Sequence, residues 1–428
     1  VDSVLKKNTP LTLQFSKFAA FNHIIFQIKM NQLLSERITQ MQESATLKMA
    51  KISRELKAQG HDVIDLSIGE PDFDTPQHIK NAAKDAIDKG YTHYTPVSGY
   101  PELRKAIATK LKRDNNLDYT TEQIVVSTGA KQSIANVILS LINPGDEVLL
   151  PAPYWVSYSA IADLAEGKSI EVHASIENDF KVTPAELESH ITPKTKLIVF
   201  SSPCNPTGSV YSKDELAALA KMLAKHPTVY VICDEIYEFI NYTGQRHTSL
   251  AEFPEVKDQV ITVNGFSKGF AMTGWRLGYI AAPLWIAQAC DKMQGQITSG
   301  TCSIAQMAGV AAATGDMQPT YDMVTEFRKR RDLVYKLLND IPGIKTNLPD
   351  GAFYFFFDVS AFFGKSYNGT HINSPEDMSA YLLKEALIAL VNGEAFGDKK
   401  CLRLSYATSQ EKLITVCTRL KDALAKLK

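Results

Sequence analysis

Six short β-branched runs, most of them separated by stretches of helical pattern, constrain this chain more than any other feature. They lie at residues 124–128, 147–150, 170–173, 197–201, 229–234 and 260–264, with helical segments around 132–142, 155–165 and 213–225. Such alternation predicts an α/β fold with a largely parallel sheet covered by helices on both faces. After Asp316 the pattern changes. A charged helix (321–338) leads to a strand (353–359), a helix (375–389), a strand (401–405) and a last helix from Gln410, a smaller α+β domain. Residues 33–60 read as one or two amphipathic helices stopped by Gly60.

The expected division is therefore a segment 30–75 joining the small domain, a large body 76–316 and a small domain 317–428. Residues 1–29 are basic, carrying four lysines against one acid, and Met30 opens a natural start. They are expected to be a non-native or disordered extension. In a chain of 428 residues, 45% hydrophobic and 22% charged residues give ample material for a core. Lys plus Arg number 46 against 47 Asp plus Glu, so no overall field draws in nucleic acid or anionic membrane. The longest charge-free stretch, 293–315, is threaded with Gln, Thr, Ser and Gly and cannot sit in hydrocarbon. Six cysteines without a C-x-x-C pair suit core thiols of a cytoplasmic enzyme better than disulfides or a metal site.

In open α/β sheets the chemistry collects at the carboxyl ends of strands. Four ends here are unusual. Val125-Val-Ser-Thr-Gly-Ala-Lys131 turns from strand to helix through small residues, leaving backbone N–H groups that favour a phosphate. It is neither G-x-G-x-x-G nor a Walker sequence, and a plain turn is the alternative. Ser202-Pro-Cys-Asn-Pro-Thr-Gly208 is a rigid loop that presents Asn205. Val231-Ile-Cys-Asp-Glu-Ile-Tyr237 delivers Asp234 after an apolar run, where a cationic ring nitrogen would pair with it, or where it caps the next helix. Val263-Asn-Gly-Phe-Ser-Lys268 is followed, eight residues on, by Arg276. Desolvation there would make Lys268 a nucleophilic amine, and Arg276 offers a fork of donors to phosphate. Any one of these lysines or turns is ordinary; the combination is not.

Together the strings resemble the class I aminotransferases of the fold-type-I pyridoxal-phosphate enzymes. The order is G-A-K, S-P-x-N-P-T-G, D-E-x-Y, S-K-x-x-x-x-x-G-x-R and a late R-L-S-Y-A, preceded by Gly-Glu-Pro-Asp-Phe-Asp (69–74) and Tyr-Thr-Pro-Val-Ser-Gly-Tyr-Pro-Glu-Leu-Arg (94–104). The similarity runs from about Ala50 to the C-terminus and is greatest to bacterial-type aspartate aminotransferases, some of which also take prephenate or aromatic partners. It implies a seven-stranded, mostly parallel sheet, pyridoxal 5'-phosphate as cofactor, no metal, and a homodimer with shared active sites.

Matched residue by residue, Lys268 would hold the cofactor as a Schiff base and shuttle the Cα proton. Asp234 would keep the pyridine nitrogen protonated, Asn205 and Tyr237 would bond the ring's phenolic oxygen, and Trp155 would stack on the ring. Gly129, Ala130 and Arg276 would hold the phosphate, joined by Tyr94 of a neighbouring subunit. Arg403 would clamp the substrate α-carboxylate, Gly69 would let the backbone approach it, and Lys131 would meet the distal carboxylate. Without the family, Trp155 is a core aromatic, Arg403 the outward face of an edge strand and Lys131 an exposed first-turn lysine. Cys204 and Asn392-Gly393 depart from the family pattern, the latter in place of Pro-Gly. The reaction implied moves the amino group of L-aspartate or L-glutamate to a 2-oxo acid such as 2-oxoglutarate by ping-pong chemistry. Alternatives on the same fold are a prephenate, aromatic or other amino acid aminotransferase and, less well supported, a β-lyase.

Overall fold

The strands form where Val, Ile and Leu cluster between turn residues; the inner ones are buried on both faces, while the edge strand Lys168–His173 is largely exposed. A computed structural model gives the structure and describes residues 33–41 and 43–428. The expectation for residues 1–29 lies outside them. The chain separates into residues 1–42, whose described part carries the short helix Glu36–Gln40, and a unit from Glu43 to Lys428.

Seven strands make the main sheet: β1 (Ile124–Ser127), β2 (Glu147–Ala152), β3 (Lys168–His173), β4 (Thr195–Ser201), β5 (Tyr230–Asp234), β6 (Val260–Gly265) and β7 (Gly278–Ala281). Their order is β1-β7-β6-β5-β4-β2-β3. From β6 to β3 all neighbours are parallel, and β7 runs antiparallel to both β6 and β1. Alternate residues serve opposite cores: Val231 and Cys233 pack on one side, Ile232 on the other. Helices Ala130–Leu141, Ser157–Leu164 and Leu284–Ile297 cover the second face, while Pro101–Asn115, Lys213–Leu223 and Ser303–Thr314 cover the first. The register aligns two strand ends. Ser201 pairs with Asp234 and Asp234 with Val263, so the carboxyl ends of β4 and β5 stand level and β6 runs two residues further, to Gly265.

Strand β7 has no counterpart among the runs expected from the sequence. Its four residues, Gly-Tyr-Ile-Ala, follow a glycine-rich loop and are too few to show a period. The six expected strands are all present, with ends shifted by up to two residues.

A second core surrounds an antiparallel sheet of β8 (Tyr354–Asp358), β9 (Val391–Asn392) and β10 (Cys401–Ser405), ordered β9-β10-β8. Helices Gln318–Asn339, Pro375–Ala386 and Gln410–Ala425 pack against it through Phe327, Leu382 and Leu420, among others. The helix expected to reach residue 389 stops at Ala386, because Leu387 turns left-handed (φ 55°) and Ile388–Ala389 pair in parallel with Ile64–Asp65. Leu66 enters this same core. Gly60 ends its helix at φ +90°, as the pattern required. Among the described residues no helix is long and apolar enough to cross a membrane, and no cluster of His, Cys, Asp and Glu is placed to hold a metal ion.

Candidate active site

The level strand ends open onto a cavity of about 300 Å³, the size of a small-molecule site. Ala130, Lys131, Trp155, Asn205, Asp234, Tyr237, Lys268, Arg276, Gly69 and Arg403 all line it. Gly129 lies directly behind Arg276. Of the expected residues only Gly129 and Tyr94 do not line this cavity; Gly129 backs it, and Tyr94 is 97% exposed.

At one end, β1 runs through Gly129 (φ +83°) into the helix from Ala130 with no side-chain cap, so the first amides have no partner within the helix. A Cβ at Gly129 would fall 2.5 Å from Arg276 Nη2, and one at Gly278 2.4 Å from the Ala130 nitrogen. Two glycines thus let a guanidinium and a helix start converge. Arg276, itself left-handed at φ 55°, donates to the Thr273 carbonyl at 3.0 Å. Amides and a permanent cation together make an anion cradle.

In the middle, Asp234 is 4% exposed. Tyr158 donates to its Oδ2 at 2.8 Å and the Ile236 N–H to its Oδ1 at 3.2 Å. Burial nevertheless pushes its pKa up to about 6, against those bonds. A cation in the cavity would restore its charge. Lys268 donates to the Gly69 carbonyl at 2.5 Å. Burial lowers its pKa to about 8; Glu70 opposes this, while Arg403 and Arg276 add to it. A substantial fraction of the amine is therefore neutral and nucleophilic near that pH.

At the other end, Arg403 on β10 is 1% exposed, not on an outer face. It donates to Asn205 Oδ1 at 2.9 Å and to the Ser67 carbonyl, and stacks over Tyr354 (4.7 Å) and Phe396 (4.9 Å). Its Nε is buried without a partner, and among the described residues no carboxylate pairs with it. A buried guanidinium held only by neutral groups is a receptor for an incoming carboxylate. Lys131 is exposed at the rim, yet its ammonium lies 4.9 Å from the centre of the Trp155 ring. Partial desolvation, and after it the Arg276 charge, hold its pKa below the usual value.

Several lining residues are not among those expected from the sequence. Tyr158 sits three residues after Trp155, within reach on a first helical turn, and that spacing was the available signal. Tyr354 was hidden inside the apolar run of β8. Ser44, Thr46, Leu47 and Ile68 reach the cavity from the N-terminal segment, and nothing in their spacing announces it. Asn392, where the family often has proline, caps the following turn by accepting from the Ala395 N–H at 3.2 Å, which fixes that loop.

Residues 61–420 match the family described as aminotransferase class I and II. The chain belongs to this family. It is therefore a pyridoxal 5'-phosphate-dependent aminotransferase with the α/β fold of its class, acting on amino acids and 2-oxo acids. The chain is 48% identical over 408 residues to a bifunctional aspartate aminotransferase and glutamate/aspartate-prephenate aminotransferase of Petunia hybrida, covering 94% of this chain and 85% of that one. It is 48% identical to a probable aspartate/prephenate aminotransferase of Rhizobium leguminosarum bv. phaseoli, over 91% and 98% of the two chains. Among solved structures, the aspartate aminotransferase of Rhizobium meliloti superposes with a TM-score of 0.89 at 41% identity, covering 92% of this chain and 99% of the other. The Thermus thermophilus aspartate aminotransferase with maleate gives 0.85 at 39%, over 91% and 99%. The cavity suits the cofactor in its donor set: an anion cradle, a buried carboxylate lacking a cation, and an amine of lowered pKa.

Proposed function

We propose that the chain transfers the amino group of L-aspartate, or L-glutamate, to a 2-oxo acid such as 2-oxoglutarate in two alternating half-reactions. The observation that carries this is Arg403, a buried cation without a carboxylate, in a cavity rimmed by the further cations Lys131 and Arg276. A dicarboxylic substrate would engage Arg403 through its α-carboxylate and Lys131 through its distal one. The names of the relatives and the maleate of the Thermus structure support an acidic substrate. A second reading, prephenate as amino acceptor, is favoured by the Petunia and Rhizobium names.

When bound, the cofactor supplies an aldehyde that takes up the amino group and a protonated pyridine that draws in the electrons released at Cα. In this proposal Gly129, Ala130 and Arg276 hold its phosphate. Asp234, fixed by Tyr158, keeps the ring nitrogen protonated, while Trp155 flanks the ring. Asn205 and Tyr237 bond the ring oxygen. Lys268 would hold the cofactor at rest, then take the proton from the substrate Cα and deliver it to the carbon that bore the cofactor's aldehyde. Arg403 would orient the Cα–H bond by fixing the α-carboxylate, with the Gly69 backbone beside it and the space of its missing side chain taken by the Tyr354 hydroxyl.

The proposed domain division is 76–316 and 317–428, with 30–75 joining the small domain; the pairing of Ile64–Asp65 with Ile388–Ala389 supports it. A homodimer is proposed in which the exposed Tyr94 reaches the phosphate site of its partner. Cytoplasmic location is proposed as well, supported by six free cysteines, four of them buried.

The test is an absorbance spectrum of cofactor-loaded protein before and after L-aspartate. The visible band is expected to move to the ultraviolet. A band that answers only to phenylalanine or another neutral amino acid would overturn the acidic substrate, and no band would overturn the site.

A further inference from the structure

Tyr354 lines the cavity and is fully buried, a phenol without a part in the proposed transfer. Its hydroxyl lies 2.7 Å from that of Tyr237. Its ring lies under the Arg403 guanidinium at 4.7 Å and meets the Tyr237 ring edge-on at 5.9 Å. Gly69 gives it room, for a Cβ there would fall 2.0 Å from the Tyr354 hydroxyl. The hydroxyl is thus confined between a backbone and Tyr237.

Burial holds both phenols above their ordinary pKa, so each keeps its single proton. Two hydroxyls in contact share one hydrogen bond, and either can be the donor. If Tyr237 donates into the cavity, its oxygen is left to accept from Tyr354. Arg403 above the Tyr354 ring makes that phenol the more acidic donor. Successive donation strengthens each bond in the chain.

We propose that Tyr354 is a positioning residue acting through Tyr237: it donates to the Tyr237 hydroxyl and so commits the Tyr237 proton to the phenolic oxygen of the bound cofactor. This rests on the reading of Tyr237 as the partner of that oxygen. The bond makes the oxygen a weaker base, so the neighbouring nitrogen that links Lys268 to the cofactor loses its proton at a lower pH.

The experiment is a pH titration of the visible band in the cofactor-loaded protein, for wild type, Tyr354→Phe, Tyr237→Phe and the double variant. Tyr354→Phe keeps every carbon of the side chain, and the cofactor-free protein is expected to unfold in one cooperative transition, a few degrees lower for the lost buried hydrogen bond. The titration midpoint is expected to rise by roughly half a unit to one unit in Tyr354→Phe. In Tyr237→Phe it should rise further, and the double variant should match Tyr237→Phe alone. A normal band whose midpoint is unmoved by Tyr354→Phe would overturn the proposal, as would additive shifts in the double variant. A wild-type protein without any visible band would overturn the reading of Tyr237, and the proposal with it.

Discussion

Asp234 and Arg403 are two buried charges facing one cavity, and they are built in different ways. Asp234 closes a parallel strand, level with the end of its neighbour at Ser201. Its charge is under-supported, with a pKa pushed up to about 6. Arg403 sits mid-strand in a short antiparallel sheet, paired in register with Phe356, and neutral oxygens hold it. The first belongs to the half of the site that carries the cofactor, the second to the half that grips the substrate. A site divided in this way should separate turnover from substrate affinity when each half is damaged.

The largest effect is expected from Lys268→Ala. Loss of the amine removes both attachment and proton transfer, and single-turnover transfer from L-aspartate should slow by roughly 10³-fold or more. Retained turnover would place the proton carrier elsewhere and erase the division. Next comes Arg403→Lys, which keeps the charge but loses the fork. We expect kcat/KM for L-aspartate to fall about 10²-fold, mainly through KM, with the cofactor spectrum unaltered. A changed spectrum would mean that the two halves are not separable.

Lys131→Ala should be milder. KM for aspartate should rise about tenfold while that for an aromatic amino acid moves little, consistent with one rim charge on a distal carboxylate. Equal effects on both substrates would remove Lys131 from substrate recognition.

The remaining change concerns stability. In the cofactor-free protein the raised pKa of Asp234 means that the folded state binds its proton more tightly than the unfolded state, whose value is near 3.8. The associated stability is present below about pH 4 and lost as pH rises through about 6. It amounts to roughly 3 kcal/mol by linkage. Asp234→Asn should therefore melt higher than wild type at pH 8 without cofactor, the gap closing near pH 4, while binding the cofactor less well. An equal or lower melting temperature at pH 8 would show that the carboxylate is already compensated.

The same contrast explains which residues the sequence makes legible. A polar residue that ends an apolar run, such as Asp234, or one that follows it in a glycine-rich turn, such as Lys268, breaks a local pattern and is visible. Six of the seven main strands are visible for the same reason, and β7 is too short to have a pattern. Arg403 alternates with Leu402 and Leu404, so periodicity alone allows an outward face; only the covering strands and the family motif put it inside. Tyr158 and Tyr354 stay hidden because a tyrosine among apolar residues looks like packing until its hydroxyl partner is known. Ser44, Thr46 and Leu47 arrive by tertiary contact, which no local spacing encodes.

Gly69 carries a consequence for how such a chain can change over generations. Its missing side chain is the space taken by the Tyr354 hydroxyl. Alanine at 69 cannot come first while that hydroxyl stands there, whereas phenylalanine at 354 can, and only afterwards does a methyl at 69 need no more than a small shift of the ring, whose nearest carbon would lie 3.1 Å away. The two positions form a latch with an order of release, and a lineage or a library that mutates them one at a time will find one of its two routes closed.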